Sequence, residues 1–151
     1  MNALSSIRTN SSNSNFVSLV KLLDIDLKQR DGEDHSFFAQ FNKIDNIKHV
    51  VVLFHNDLAV GCGAIKEYEP DVMEVKRMFV LPDHRGKGFA SEILRELEVW
   101  AKELGYSKCI LETGYKQPEA IALYKKNNFE VIPNYGQYAN VTSSVCFQKT
   151  L

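Results

Sequence analysis

The residues best placed to do chemistry are Arg85-Gly86-Lys87-Gly88. They follow an apolar, β-prone run ending at Val80-Leu81-Pro82 and precede a helical pattern that begins near Phe89. Strand, glycine turn and helix start, in that order, make an anion site. The first amides of a helix have no intrahelical partner, and the dipole there favours negative charge. Gly86 and Gly88 let the backbone approach a bulky phosphate with no Cβ in the way. Arg85 and Lys87 add positive charge. An ordinary tight turn before a surface helix would also accommodate these residues.

Spacing separates the phosphate sites that share this layout. A Walker A loop ends in Gly-Lys-Ser/Thr, whereas Gly88 is followed by Phe89 and no hydroxyl is placed for magnesium. A dinucleotide fingerprint needs a third glycine, and that position is Ser91. The pattern that fits is Arg-x-x-Gly-x-Ala, at Arg85, Gly88 and Ala90. It resembles the acyl-coenzyme-A pyrophosphate loop of the GNAT acetyltransferase superfamily. A second segment, Gln117-Pro118-Glu119-Ala120-Ile121-Ala122-Leu123-Tyr124, also resembles that family, whose last core helix carries Ala-x-x-Leu-Tyr. Gln117 stands where the family usually has Asn, and Asn128 where it usually has Gly. Asn tolerates the left-handed conformation that a helix end requires. The resemblance covers residues 48–150 well and the N-terminal third in outline.

The resemblance implies acetyl-CoA as cosubstrate, with no metal, and a small-molecule amine acceptor. It implies a cofactor site at Phe79, Val80, Arg85, Gly86, Lys87, Gly88, Phe89, Ala90, Gln117 and Tyr124. Main-chain N–H groups of Val80 and Phe79 would hold pantetheine and the thioester oxygen. Glu74, on the strand before the loop, matches the place of the family's basic glutamate. It would accept the amine proton directly or through water. Read without the family, Glu74 makes an ion pair with Lys76 or Arg77. Tyr124 is the expected proton donor to the leaving thiolate, or else a core tyrosine on an amphipathic helix. A phenol of ordinary pKa about 10 is protonated at neutral pH. Arg77, Tyr115, Tyr135 and Tyr138 are weaker candidates for acceptor recognition. Phe38, with Phe37 and Phe41, falls where the family builds an acceptor wall. A protein or peptide acceptor, and an acyl-CoA sensor without turnover, are the alternatives. A homodimer is possible.

Composition bounds these readings. A chain of 151 residues, 44% hydrophobic, is expected to be one domain with a full core. Net charge −1 argues against a nucleic-acid partner, which would demand a basic face. No apolar run is long enough to span a membrane, and residues 1–15 lack the core of a signal peptide. Cys62, Cys109 and Cys146 sit in apolar strand-like runs and read as buried thiols in a reducing compartment, so the cytoplasm is expected. The histidines 35, 49, 55 and 84 show no metal spacing.

The elements that must position the site follow from periodicity. Leu4–Arg8 reads as a strand, and residues 9–15 as a polar, partly flexible stretch able to cap a helix. Phe16, Leu19, Val20, Leu23 and Leu27 recur at helical spacing over 14–29. A short helix is expected at Ser36–Phe41. His49–Phe54 and Leu58–Lys66 form a hairpin, in which Gly61-Cys62-Gly63 marks a bulge or a close backbone approach. Strand 72–81, helix 88–104, strand 108–113, a helix from Pro118, one more strand after it and a last strand 144–149 complete the order β-α-α-β-β-β-α-β-α-β-β. The class is α+β with a mixed, mostly antiparallel sheet flanked by helices. The resemblance adds a splay between strands 72–81 and 108–113 at the acetyl-CoA site.

Overall fold

The computed structural model describes residues 3–31 and 46–151, with the backbone alone at 30 and 31. The short helix expected at Ser36–Phe41, and Phe38 with it, lies outside the described residues. Elements run β1 (Leu4–Thr9), α1 (Ser14–Asp31), β2 (His49–His55), β3 (Leu58–Glu69), β4 (Val72–Val80), α2 (Phe89–Glu103), β5 (Lys108–Gly114), α3 (Pro118–Lys126), β6 (Glu130–Ile132) and β7 (Ser144–Thr150). The strands form one sheet in the order β1-β2-β3-β4-β5-β7-β6. Every pairing is antiparallel except β4 with β5. The sheet is therefore mixed and mostly antiparallel, as expected.

Helices cover both faces, so the central strands alternate between two cores. Val51 and Leu53 of β2 join Ile93, Leu94 and Leu97 of α2. Val50 and Val52 join Phe16, Leu19 and Val20 of α1. A strand covered on both sides reads as an unbroken apolar run, which is what Val50–Phe54 shows. The polar stretch before α1 is tied down as a cap. The Asn13 carboxamide oxygen accepts from the Phe16 N–H at 3.1 Å, and Ser11 Oγ accepts from the Ile47 N–H.

The hairpin glycines serve a close approach and face a bulge. Register between β3 and β4 shifts between Cys62 and Ala64. There Arg77 adopts a positive φ of 61°, uncommon for a side chain of its size. The extra residue reverses which side chains face α2. Before it Met73 and Val75 do; after it Val80 does, while Phe79 faces α1. Opposite the bulge, Gly63 has no room for a side chain. An added Cβ would lie 2.6 Å from Met78 Sδ and 2.8 Å from a Leu97 methyl.

β4 and β5 pair over three residues only, Val72 with Lys108, Met73 with Cys109 and Glu74 with Ile110. Beyond Glu74 the two strands part while each continues, β4 to Val80 and β5 to Gly114. No helix among the described residues is long and apolar enough to cross a membrane. Gly63→Ala is expected to destabilise the fold by about 1–3 kcal/mol through overpacking against α2, read as a lower midpoint in urea unfolding; an unchanged midpoint would refute the close approach.

Candidate functional site

The parted strands open a cleft of about 520 Å³. Its walls include Glu74 to Val80 of β4, Glu112 to Gly114 of β5, the start of α2, Tyr124 of α3 and Tyr138. Each part is placed by a local preference. Gly86 and Gly88 hold φ of 77° and 82°, and a Cβ built on either would meet nothing within 4 Å. The space beside each is open. Gly88 is the N-cap of α2 and offers no side-chain cap, so the first amides of that helix are left to a ligand. Pro118 at the first position of α3 fixes that helix start, with Gln117 as its N-cap. The opposite end of α3 passes through Asn128 at φ 69°, the left-handed step that a glycine usually takes.

Main-chain direction on β4 follows from its ladder. The Leu81 N–H donates to Val60 O at 2.8 Å. Antiparallel alternation therefore gives Phe79 to β3 as well and turns the peptide groups of Val80 toward the cleft. The Val80 carbonyl already has a partner, Arg85 Nε at 2.9 Å. The Arg85 guanidinium also lies 5.5 Å from the centre of the Phe79 ring and 3.7 Å from Asp26 of α1. Phe79 thus brings a ring to the cleft rather than an amide.

The two sequence-nominated catalytic side chains come from opposite sides of the sheet. Tyr124 is buried in the core beneath α2, against Phe129 and Phe147. Burial first, and the charge of Glu112 second, push its phenol well above the ordinary value. It is a hydrogen-bond donor at any physiological pH. Glu74 is buried on the other face and held at both oxygens. The Tyr135 hydroxyl donates to its Oε2 at 2.5 Å, and Lys76 Nζ lies 3.6 Å from its Oε1. Burial and then Glu74 hold the Tyr135 phenol far above its usual range. Tyr135 in turn packs edge-on against Tyr68 and Tyr138.

Of the remaining residues nominated from sequence, Phe79, Val80, Arg85, Gly86, Gly88, Phe89, Ala90, Gln117, Arg77 and Tyr138 line the cleft. Lys87 is exposed and off the wall. Tyr115 is exposed, with Lys116 Nζ 5.9 Å from the centre of its ring. The Arg77 side chain is 2% exposed and reaches Asp24 of α1 at 3.4 Å.

Glu112 was not singled out from sequence. It lines the cleft, accepts from Ser144 Oγ at 2.6 Å and shares the Glu74 face of the sheet, because Cys109 and Leu111 on its strand point to the other core. An acid directly after the apolar run Cys109-Ile110-Leu111, still within the strand, was the available signal. Ser91 and His84 also line the cleft.

This geometry agrees with what the chain is similar to. Residues 17–129 match the model of the acetyltransferase (GNAT) family. The chain belongs to that family. It is 41% identical over 93 residues to an IAA acetyltransferase of Azospirillum brasilense, covering 61% of each. It is 39% identical over 72 residues to the N-acetyltransferase YjgM of Escherichia coli, covering 48% of this chain and 43% of that protein. The match thus spans about three fifths or less of these relatives. A Klebsiella pneumoniae structure assigned to the acyl-CoA N-acyltransferases superposes with a TM-score of 0.79 at 28% identity, over 100% of this chain and 98% of that one. A PaiA N-acetyltransferase from Thermoplasma acidophilum in complex with coenzyme A shares the fold, with a TM-score of 0.73 at 17% identity over 99% of both chains.

None of the three thiols is built as a nucleophile. All are buried, and burial pushes Cys62 and Cys109 up to about 12 and Cys146 up to about 11. Since only the thiolate attacks, a disulfide reagent at about pH 8 should leave the folded protein unmodified and label all three thiols in guanidinium. Labelling of the native state should rise only as pH approaches those values. Rapid labelling at neutral pH would overturn the assignment.

Proposed function

We propose that the chain transfers an acetyl group from acetyl-CoA to the primary amine of a small-molecule or amino-acid-like acceptor, by direct attack of that amine. The observation that carries this is the parting of β4 from β5 beside the Gly86–Gly88 turn, with Glu74 and Tyr124 lining one cleft. Acetyl-CoA bound there supplies an activated thioester. The main chain from Arg85 to Ala90, including Gly86, Lys87, Gly88 and Phe89, would hold its diphosphate, and Gln117 would touch it at the start of α3. The open space beside both glycines supports this fit.

The roles follow from the chemistry of each group. The Val80 N–H, turned into the cleft, would stabilise negative charge on the thioester oxygen. Glu74 would take the amine proton, directly or through water. Tyr124 would donate to the sulfur as the carbon–sulfur bond breaks, and its raised pKa favours donation by hydrogen bond over full ionisation. Acceptor contacts fall to Tyr138, to Phe38 and, with Asp24, to Arg77. The burial of all three thiols supports direct attack over an acyl-cysteine route. Three free thiols also suit a reducing cytoplasm.

The test is release of coenzyme A thiol with a panel of amines, set beside acetylation of peptides. Turnover on peptides alone would move the acceptor to proteins, and binding without turnover would make the chain a sensor. Tyr124→Phe should lower kcat by roughly 10²–10⁴-fold with KM for acetyl-CoA little changed; full activity would remove the acid role. Glu74→Gln should cost a comparable factor. If Glu112→Gln does so in its place, the base is the carboxylate on β5. Gly88→Val, which forces a branched side chain into left-handed φ and the phosphate cradle, should weaken acetyl-CoA binding by roughly tenfold or more in calorimetry.

A further inference from the structure

We infer that Asn127 is a positioning residue that sets the distance between the phosphate turn and Tyr124. This rests on the acetyl-CoA reading above. Asn127 is the C-cap of α3. Its side-chain amide has two N–H donors, and both are used. One donates to Leu123 O at 2.9 Å. The other crosses to Ser91 Oγ at 3.1 Å. Ser91 sits in the first turn of α2, directly after the glycine turn. The Asn127 backbone N–H is spent on the last turn of α3, on Leu123 O and Tyr124 O. The Phe129 N–H also reaches Tyr124 O, at 3.0 Å. A single side chain thus joins the end of the helix that carries Tyr124 to the start of the helix that would hold the diphosphate. Both Ser91 and Tyr124 line the cleft.

The physical argument concerns reach. The donor would be gripped at two ends, the diphosphate at the turn and the thioester near Tyr124, and its pantetheine arm can span no more than its extended length. The protein must hold its two grips at a matching separation. A misplacement of about 1 Å at the reacting group can cost on the order of 10²-fold in rate. α2 and α3 are separated in sequence by β5, so neither helix sets that separation locally. Asn127 to Ser91 is a direct hydrogen bond between them. A donor with no diphosphate has no such requirement, because a short thioester can follow Tyr124 wherever it sits.

The experiment crosses donor length with the tie. kcat/KM is measured for acetyl-CoA and for S-acetyl-N-acetylcysteamine in the wild type, Asn127→Ala, Ser91→Ala and the double variant. Circular dichroism and urea midpoints serve as the check on folding. Ser91→Ala leaves the cap of α3 intact, so it decides the matter even if Asn127→Ala folds poorly. Each single variant should lose roughly tenfold or more with acetyl-CoA and less than about twofold with the short thioester. The double variant should lose no more than the worse single one, as expected for two ends of one interaction. An equal loss on both donors, no loss on either, or additive losses would overturn the proposal. A wild type that turns over neither donor would instead overturn the acetyl-transfer reading, and this inference with it.

Discussion

Everything in the site depends on β4 and β5 ceasing to pair after Glu74. A parallel pair normally exchanges hydrogen bonds along its length, and an unpaired inner strand leaves polar groups that need partners. Here the bulge at Arg77 turns β4 as it parts from β5, and the peptide groups of Val80 face the gap. Arg85 satisfies one of them. The resulting slot passes between the two faces of the sheet. A buried phenol on the α2 side and the carboxylates of buried Glu74 and half-buried Glu112 on the other side therefore line one cleft, although no strand or helix carries both.

The electrostatics of the slot are divided in the same way. On the α2 side the phenol of Tyr124 lies among Phe129 and Phe147 and is kept neutral by burial. On the other side Glu74 and Glu112 are each given a hydroxyl donor, from Tyr135 and Ser144. A buried carboxylate is tolerable only with such partners. The loop before β7 supplies Tyr135 and Tyr138, so it shapes the surroundings of the proposed base. Gly136 is required in that loop, since an added Cβ would lie 2.8 Å from the Tyr68 hydroxyl. Arg77 joins the bulge to α1 through Asp24. The wall on the α1 side and β4 are thereby linked.

Local signals made much of this legible. The glycine turn, Pro118 before a helical stripe and the doubly covered run Val50–Phe54 each reflect a preference that acts over a few residues. The Gly61-Cys62-Gly63 signal carried both of its meanings, for the bulge lies opposite it and α2 packs onto it. Glu112 was passed over because an acid in a strand acquires significance only when the sheet places a second acid on the same face. The burial of Arg77 beside Asp24 of α1 joins residues far apart in the chain, which no local pattern records. The hydrogen bond from Asn127 to Ser91 spans β5 and leaves no periodic trace.

The chain by itself determined the types and order of its described elements and the glycine turn, because backbone preference and side-chain period are properties of neighbouring residues. It also determined the family resemblance, through two short motifs in the right order. Only the tertiary structure decided that β4 and β5 part after three residue pairs, that Tyr124 and Glu74 approach the gap from opposite faces, and that Tyr135 holds the carboxylate. Those are contacts between residues distant in the chain, set by the bulge and by which helix covers which face.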